Sequence, residues 1–318
     1  MNKKLLQLIG RSVAYTYPII SMIGFIFNVL AFIVFSGKKF EKTSFSIYFR
    51  FLIISDILSL LLPINRILEL NFNIKLQDVS DVFCVIRVFY SYITIALSAW
   101  STVIISIDRA CSIIYPNRFL FRKNTKFRII VCLLNLIFNI IIYGSLFDLR
   151  LGPTIINDNG TNQTFITMTC KSDQIYMFWL DLFNSDIVPF ALMITFTLYT
   201  LRFIFKARGT AGSSVNKKDL KFAATSITLN VIFLIFNTPY CIYNIYSFYI
   251  SVDPYLDNLL FIIFLALLYC NSCSVFFINY MVNSLFKQEL GNIFHKNSKN
   301  NLIESSRSIQ KGITRSNA

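Results

Sequence analysis

The sequence has one histidine, no glycine-rich phosphate loop and no Gly-x-Ser-x-Gly elbow, and of its seven cysteines only Cys270 and Cys273 form a Cys-x-x-Cys pair, inside an apolar run. Each absence removes a class of function. A metal centre built on His and Cys lacks the second pair of ligands that a lone Cys-x-x-Cys needs. A nucleotide-binding loop lacks the backbone that cradles phosphate, and a hydrolase lacks its nucleophile. Acid is scarce as well, with 16 Asp and Glu against 30 Lys and Arg, and charged residues make up only 14% of the chain. A net charge of +14 in a soluble protein would suggest nucleic acid, but here its distribution along the chain carries more meaning than its size.

What the chain has in quantity is apolar length. It is 55% hydrophobic, with 33 phenylalanines, and its apolar runs reach membrane-spanning length. The 318 residues would allow two soluble domains by length alone; composition points instead to a membrane protein. Residues 1–8, with Lys3 and Lys4, imitate the start of a secretion signal. The apolar run that follows continues to Phe35 without a small-residue cleavage site, so it reads as an anchor helix.

Seven spans are expected near residues 13–36, 45–70, 83–110, 127–147, 175–205, 220–250 and 256–282. Residues 283–294 then repeat apolar side chains at Leu285, Phe286, Leu290, Ile293 and Phe294, a short amphipathic helix suited to a membrane surface. The tail, 295–318, is rich in Ser, Asn and Lys and predicted to be disordered. The expected fold class is an all-α membrane protein: residues 1–12 form the N-terminus, 13–282 a seven-helix bundle, 283–294 the surface helix.

Orientation follows from Lys and Arg. The first, third and fifth loops and the tail carry 20 of them; the N-terminus and the even loops with their helix ends carry 8. The N-terminus is therefore expected outside and the tail in the cytoplasm, although Lys3, Lys4 and Arg11 pull the other way. The glycosylation acceptors Asn159 and Asn162 both fall in the fourth loop, on the side this places outside. Cys84 and Cys170 also fall at outer positions, where a bridge would tie the fourth loop to the third span. The other five cysteines read as small apolar fillers.

The third span is the one to which the others are expected to refer. Cys84 to Arg109 rises about 38 Å as a helix, enough to cross about 30 Å of hydrocarbon. At about 100° per residue, Cys84, Arg87, Ser91, Ser98 and Arg109 fall within roughly 40° of one line. Lipid does not tolerate a line of polar residues, so this face is expected to meet protein or water.

Seven spans, the Cys84–Cys170 pair and Asp108-Arg109 at the inner end of span three resemble the rhodopsin-like (class A) G-protein-coupled receptors over residues 13–294. Asn28, Leu52-x-x-x-Asp56, Pro116 seven residues after Arg109, Pro189, Pro239, Asn271-Ser272 and Phe286 match the family's anchors in type and spacing. The departures are specific. The Asp-Arg-Tyr motif ends in Ala110, span four has no Trp, and the aromatic toggle of span six is Asn237. The span-seven motif reads Val275 to Asn279 with Tyr280 one place late, and the inner Tyr of span five is Thr197, with Tyr199 displaced. These leave the fold intact and alter the family's activation relay.

The resemblance implies a sodium ion near Asp56, with Ser98, Asn271 and Ser272 as ligands; the alternative is a protonated or hydrogen-bonded structural Asp56. It also implies a resting clamp in which Asp219 pairs with Arg109, against a solvated Asp219 among lysines. Asp108, Arg109, Pro116, Asp219 and Pro239 would carry G-protein coupling. The amine-binding Asp of span three is replaced by Ser91, which argues against a monoamine. The expected ligand pocket holds Arg66, beyond a kink at Pro63, with Arg87, Ser91, Tyr92, Asp181, Tyr240, Asn244, Phe261 and Tyr269. Tyr243 adds an aromatic, and Asp148 and Asp186 add negative charge. A mouth with both signs and many aromatics suits a short peptide; Arg66 and Arg87 snorkelling to the interface is the plainer alternative.

The expected function is therefore a plasma-membrane receptor, not an enzyme. It would bind an extracellular peptide, partner a heterotrimeric G protein and the bilayer, and need no cofactor beyond that sodium. A transporter or channel would show internal repeats or several ionisable groups at mid-depth, where only Asp56 is found. A receptor-shaped protein that no longer signals fits the altered motifs.

Overall fold

A computed structural model describes residues 3–41, 43, 45–63, 79–114, 124–148, 150–158, 163–171, 174–209, 217–250 and 253–293. Helix α1 runs Lys3–Phe35, α2 Ser46–Ser59, α3 Asp81–Ile114 and α4 Thr125–Ile142, extended by a 3-10 turn Tyr143–Asp148. Strands β1 (Arg150–Asp158) and β2 (Gln163–Lys171) follow. Helix α5 comprises Gln174–Asp181, a π turn Leu182–Ile187 and Val188–Gly209; α6 is Lys217–Tyr249 and α7 Pro254–Val282. Residues 284–293 are helical again (α8). Asn283 caps α8: its Oδ1 accepts from the Leu285 and Phe286 amides at 3.1 and 3.3 Å.

Among the described residues six helices are long and apolar enough to cross a membrane: all of α1 to α7 except α2. The second span was expected to reach residue 70. Helix α2 ends at Ser59 in i→i+3 bonds, Leu61 N to Leu58 O and Leu62 N to Ser59 O, just ahead of Pro63, whose ring cannot continue a helix. Residues 64–70 lie outside the described residues. The first helix is longer than expected: α1 begins at Lys3, ten residues before the boundary at 13.

The fourth loop, which the apolar periodicity left unassigned, contains an antiparallel hairpin, with Leu151 opposite Cys170 and Ile155 opposite Ile166. Its run of Thr and Ile is what strands favour. Both strands touch α3.

Helix α3 packs against α2, α4, α5 and α6, as its polar line demands. Helix α4 shows the inversion that lipid imposes. Arg128, Cys132, Asn135 and Asn139 are buried, whereas Ile130, Leu133, Leu134, Ile137 and Ile141 are exposed. A side-chain cap starts α4, the Asn124 Oδ1 accepting from the Lys126 amide at 2.9 Å. The largest apolar core lies at the Arg109 end of the bundle, where Phe35, Phe40, Phe45, Phe49 and Phe286 interlock. Phe35 alone stacks on Phe49 at 4.8 Å and meets the edge of Phe40 at 4.9 Å.

Candidate ligand-binding and signalling sites

A cavity of about 520 Å³ opens among α3, α5, α6 and α7 toward the Cys84 end. Arg87, Ser91 and Tyr92 of α3 line it, with Asp181 of α5, Tyr240 and Asn244 of α6, and Phe261 and Tyr269 of α7. Of the nine residues expected at a ligand mouth these are eight; Arg66 lies outside the described residues. Tyr243, expected among the mouth aromatics, instead donates to Asp257 Oδ1 at 2.8 Å and joins α6 to the head of α7. Sequence reasoning left out Met177, Phe178, Leu182 and Ser185, which complete the α5 wall.

The walls carry opposite charge. On α3, the Arg87 Nε is buried with no hydrogen-bond partner among the described residues. On α5, Asp181 Oδ1 accepts from Tyr143 Oη at 3.0 Å and from Ser185 Oγ at 2.8 Å. Asp186, 5% exposed, lines the same cavity without a hydrogen bond or ion pair among the described residues. The side chain of Asp148 lies outside the described residues.

Behind Asp181 a polar chain runs through the bundle. Asn184 Nδ2 donates to Tyr143 Oη at 3.2 Å and to Asn139 Oδ1 at 3.0 Å. Asn139 Nδ2 donates to Asn135 Oδ1 at 2.9 Å, and Asn135 Nδ2 to Ser101 Oγ at 3.4 Å. Trp100 Nε1 closes it from α3, donating to Asn184 Oδ1 at 3.1 Å. Helices α3, α4 and α5 are thereby hydrogen-bonded to one another at a depth where water offers no alternative. The signal was present in the sequence: three Asn residues in otherwise apolar spans.

Deeper in the bundle, Asp56 is 1% exposed and accepts from Ser98 Oγ at 2.6 Å. Ser59 Oγ donates to the Asp56 carbonyl at 3.0 Å and lies 3.1 Å from Ser272 Oγ. Asn28 Nδ2 donates to the Ser272 carbonyl at 2.8 Å, tying α1 to α7. Asn271, the other expected ligand, makes no hydrogen bond to Asp56 among the described residues.

At the other end of α3, Arg109 hydrogen-bonds its neighbour Asp108 and is 3% exposed. Its guanidinium lies 5.0 Å from the Phe45 ring centroid and 6.0 Å from that of Phe222. These two rings meet at 4.0 Å, so α6 rests on the chain entering α2 directly over the arginine. Two more links bind α6 there. Asn230 Oδ1 accepts from Ser106 Oγ at 2.9 Å while its Nδ2 donates to Thr197 Oγ1 at 2.8 Å, joining α3, α5 and α6. Lys221 Nζ donates to Ser284 Oγ at 2.8 Å, joining α6 to α8. Thr197 thus has a partner where the family's span five places a tyrosine. Pro116 and the Asp219 side chain lie outside the described residues. Pro239 lies inside α6, and Asn237 two residues before it donates to the Phe233 carbonyl at 2.8 Å. Asn279 repeats that pattern on α7, with Val275 as acceptor at 2.8 Å.

Cys84 is fully buried and disulfide-bonded. Cys111, Cys132, Cys241, Cys270 and Cys273 are free thiols. The Cys170 side chain and the acceptors Asn159 and Asn162 lie outside the described residues. No group of three His, Cys, Asp or Glu side chains that could hold a metal gathers among the described residues.

A membrane-embedded helical bundle with a charged cavity at one end and an Asp-Arg pair sealed under aromatics at the other defines a receptor-like class. Residues 27–274 match the model of the 7 transmembrane receptor (rhodopsin family), and the chain belongs to that family. It is a receptor of the membrane and not an enzyme. Among curated proteins none matches the chain.

Proposed function

We propose that this receptor takes a short extracellular peptide into the cavity at the Cys84 end and activates a heterotrimeric G protein at the Arg109 end. The observation that carries the reading is the separation of charge in one cavity. Arg87 on α3 faces Asp181 and Asp186 on α5 without an ion pair between them among the described residues. Charges held apart in a low-dielectric cavity are costly unless a ligand completes them. A peptide supplies both signs, and its carboxylate or C-terminal amide suits the fork of Arg87. A monoamine or a fatty acid supplies only one.

In this reading the segment that contains α2 also crosses the membrane, giving seven spans. The N-terminus and hairpin lie outside the cell, and α8 and the tail lie on the cytoplasmic face of the plasma membrane. Cys84 is bridged to Cys170, whose strand lies against α3, and Asn159 and Asn162 are glycosylated. Asp56, Ser59, Ser98 and Ser272 present oxygen atoms only, the donor type that hard cations take, and they fit a sodium ion better than a set requiring Asn271. Ligand binding would favour a conformation in which α6 leaves Phe45 and uncovers Arg109.

The test is nucleotide exchange on co-expressed G proteins, screened against a peptide library. Peptide-evoked exchange that Arg109→Ala abolishes at unchanged surface level is expected. A second reading, a receptor that binds but does not signal, is favoured by Asn237 at the toggle position and by the shifted Tyr280. Peptide binding without exchange on any G-protein class would establish it and overturn the first.

A further inference from the structure

Asp181 and Asp186 are five residues apart. On an ordinary α-helix residues five apart point about 140° away from each other, and one of them would face lipid or a neighbouring helix. Here the intervening turn, Leu182–Ile187, is a π turn, and the Val188 amide reaches back to the Phe183 carbonyl, five residues earlier. In an i→i+5 turn, residues five apart fall on the same side of the helix, as residues four apart do in an α-helix. Both carboxylates therefore face one cavity. The cause is local: Pro189 has no amide to offer the Ser185 carbonyl, and its ring crowds that carbonyl, a conflict that widening the preceding turn relieves.

The two acids are not equivalent. Both hydrogen bonds to Asp181, from Tyr143 and Ser185, fall on Oδ1, leaving Oδ2 without one among the described residues. Asp186 has no partner for either oxygen among the described residues, although it is 5% exposed. The cation of the opposing wall, Arg87, forms an ion pair with neither among the described residues. Two carboxylates stacked in one buried cavity repel, and nothing in the described protein neutralises them. Aromatic rings from two other helices, Tyr92 and Tyr240, line the same space.

We propose that the π turn builds a subsite for an organic cation, in which an ammonium or guanidinium group of the ligand sits between Asp181 and Asp186 with its substituent against Tyr92 and Tyr240. The inference deepens the peptide-receptor reading and rests on it: it names a basic residue as the part of the peptide that enters deepest. A guanidinium presents paired donors to two carboxylates, and rings beside a desolvated cation add to its binding.

The test uses the full chain in lipid nanodiscs, with phenylguanidine as probe and phenylurea as its neutral counterpart of the same shape. For a ligand this small, affinity of about 1 mM is expected. Phenylguanidine should raise the melting temperature in this range and phenylurea should not. Asp186→Asn, which keeps the side chain's shape, should weaken phenylguanidine at least tenfold while the ligand-free melting temperature stays within a few degrees. Equal shifts from both probes, an equal shift from sodium chloride alone, no shift at 10-fold above that concentration, or undiminished affinity in Asp186→Asn would each overturn the subsite. The receptor reading fails separately. If the phenylguanidine shift is intact but no peptide evokes nucleotide exchange, signalling is overturned and the subsite stands. If peptides evoke exchange and Asp186→Asn responds to basic and neutral peptides as the native chain does, the subsite alone is overturned.

Discussion

The two ends of α3 handle charge in opposite ways. At the Cys84 end, Arg87, Asp181 and Asp186 face an open cavity and no ion pair joins them among the described residues. At the Arg109 end, the guanidinium is bonded to Asp108 and roofed by Phe45 and Phe222. One end is unfinished and awaits a partner from outside the chain. The other is finished and must be broken before a partner can reach it. A molecule that transmits a signal across a membrane needs this asymmetry. Binding completes the interactions at one end, and the free energy released there must exceed the cost of lifting the roof at the other.

The largest effect is expected from uncoupling the outer end from its hairpin. Cys84→Ser opens a loop of about 85 residues, worth about 4–5 kcal/mol in the chain-entropy model. Surface expression should fall sharply, and peptide mapping of the oxidised native chain should recover Cys84 linked to Cys170; recovery of Cys170 as a free thiol would exclude the pair. Next comes the finished end itself. Removing the roof with Phe222→Ala deletes a partly buried ring and should cost about 3 kcal/mol of resting-state packing, seen as raised ligand-independent exchange. Asp219→Ala should act in the same direction if that side chain clamps Arg109, and unchanged basal exchange at normal surface level would dismiss the clamp.

At the unfinished end, Arg87→Ala should weaken peptide potency about tenfold, or about 1.4 kcal/mol, at unchanged expression. Lys at this position should recover only part of that, because a fork becomes a point charge. Undiminished potency would make Arg87 an interface anchor and dissolve the contrast between the ends. The smallest effect is expected from Lys221→Ala, which removes one partly solvated bond to Ser284 worth about 0–1 kcal/mol. Basal exchange should rise slightly, and a large rise would show that α8 holds α6 more firmly than the aromatic roof does.

The sequence made the helices and the central place of α3 legible for the same reason: lipid leaves no water to satisfy stray polar groups, so apolar runs must be helices and a polar line must face protein. Arg87 and Ser91 were legible as cavity residues through that line, and Tyr92, Tyr240, Phe261 and Tyr269 as aromatics gathered at the outer mouth. Asp186 was legible only as a charge. Its direction depends on the π turn, and no residue type signals i→i+5 bonding; Pro189 hints at it only by what it withholds. The hairpin could have been read from the alternation of Ile166, Met168 and Cys170 with Thr167 and Thr169. Ser284 and Lys221 could not have been paired, since the bond joins segments 63 positions apart on unrelated faces. Nor does composition reveal that Asn230 would serve Ser106 and Thr197 together.

The asparagine chain has a consequence for how the protein is made. Asn139 meets Asn184 across 45 residues of sequence, and at about 5–20 residues per second the ribosome supplies the second about 2–9 seconds after the first. In that interval α4 stands in the insertion machinery with two amides turned toward a bilayer that cannot bond them, and among the described residues Ser101 of α3 is the side chain outside α4 already delivered to them. Helix α4 is thus retained beside α3 until α5 arrives, so that the wall carrying Asp181 is seated by the same bond that ends the wait. A nascent chain cut off before Gln174 should cross-link to the translocation channel through α4 and be degraded, whereas one that includes Asn184 should be released.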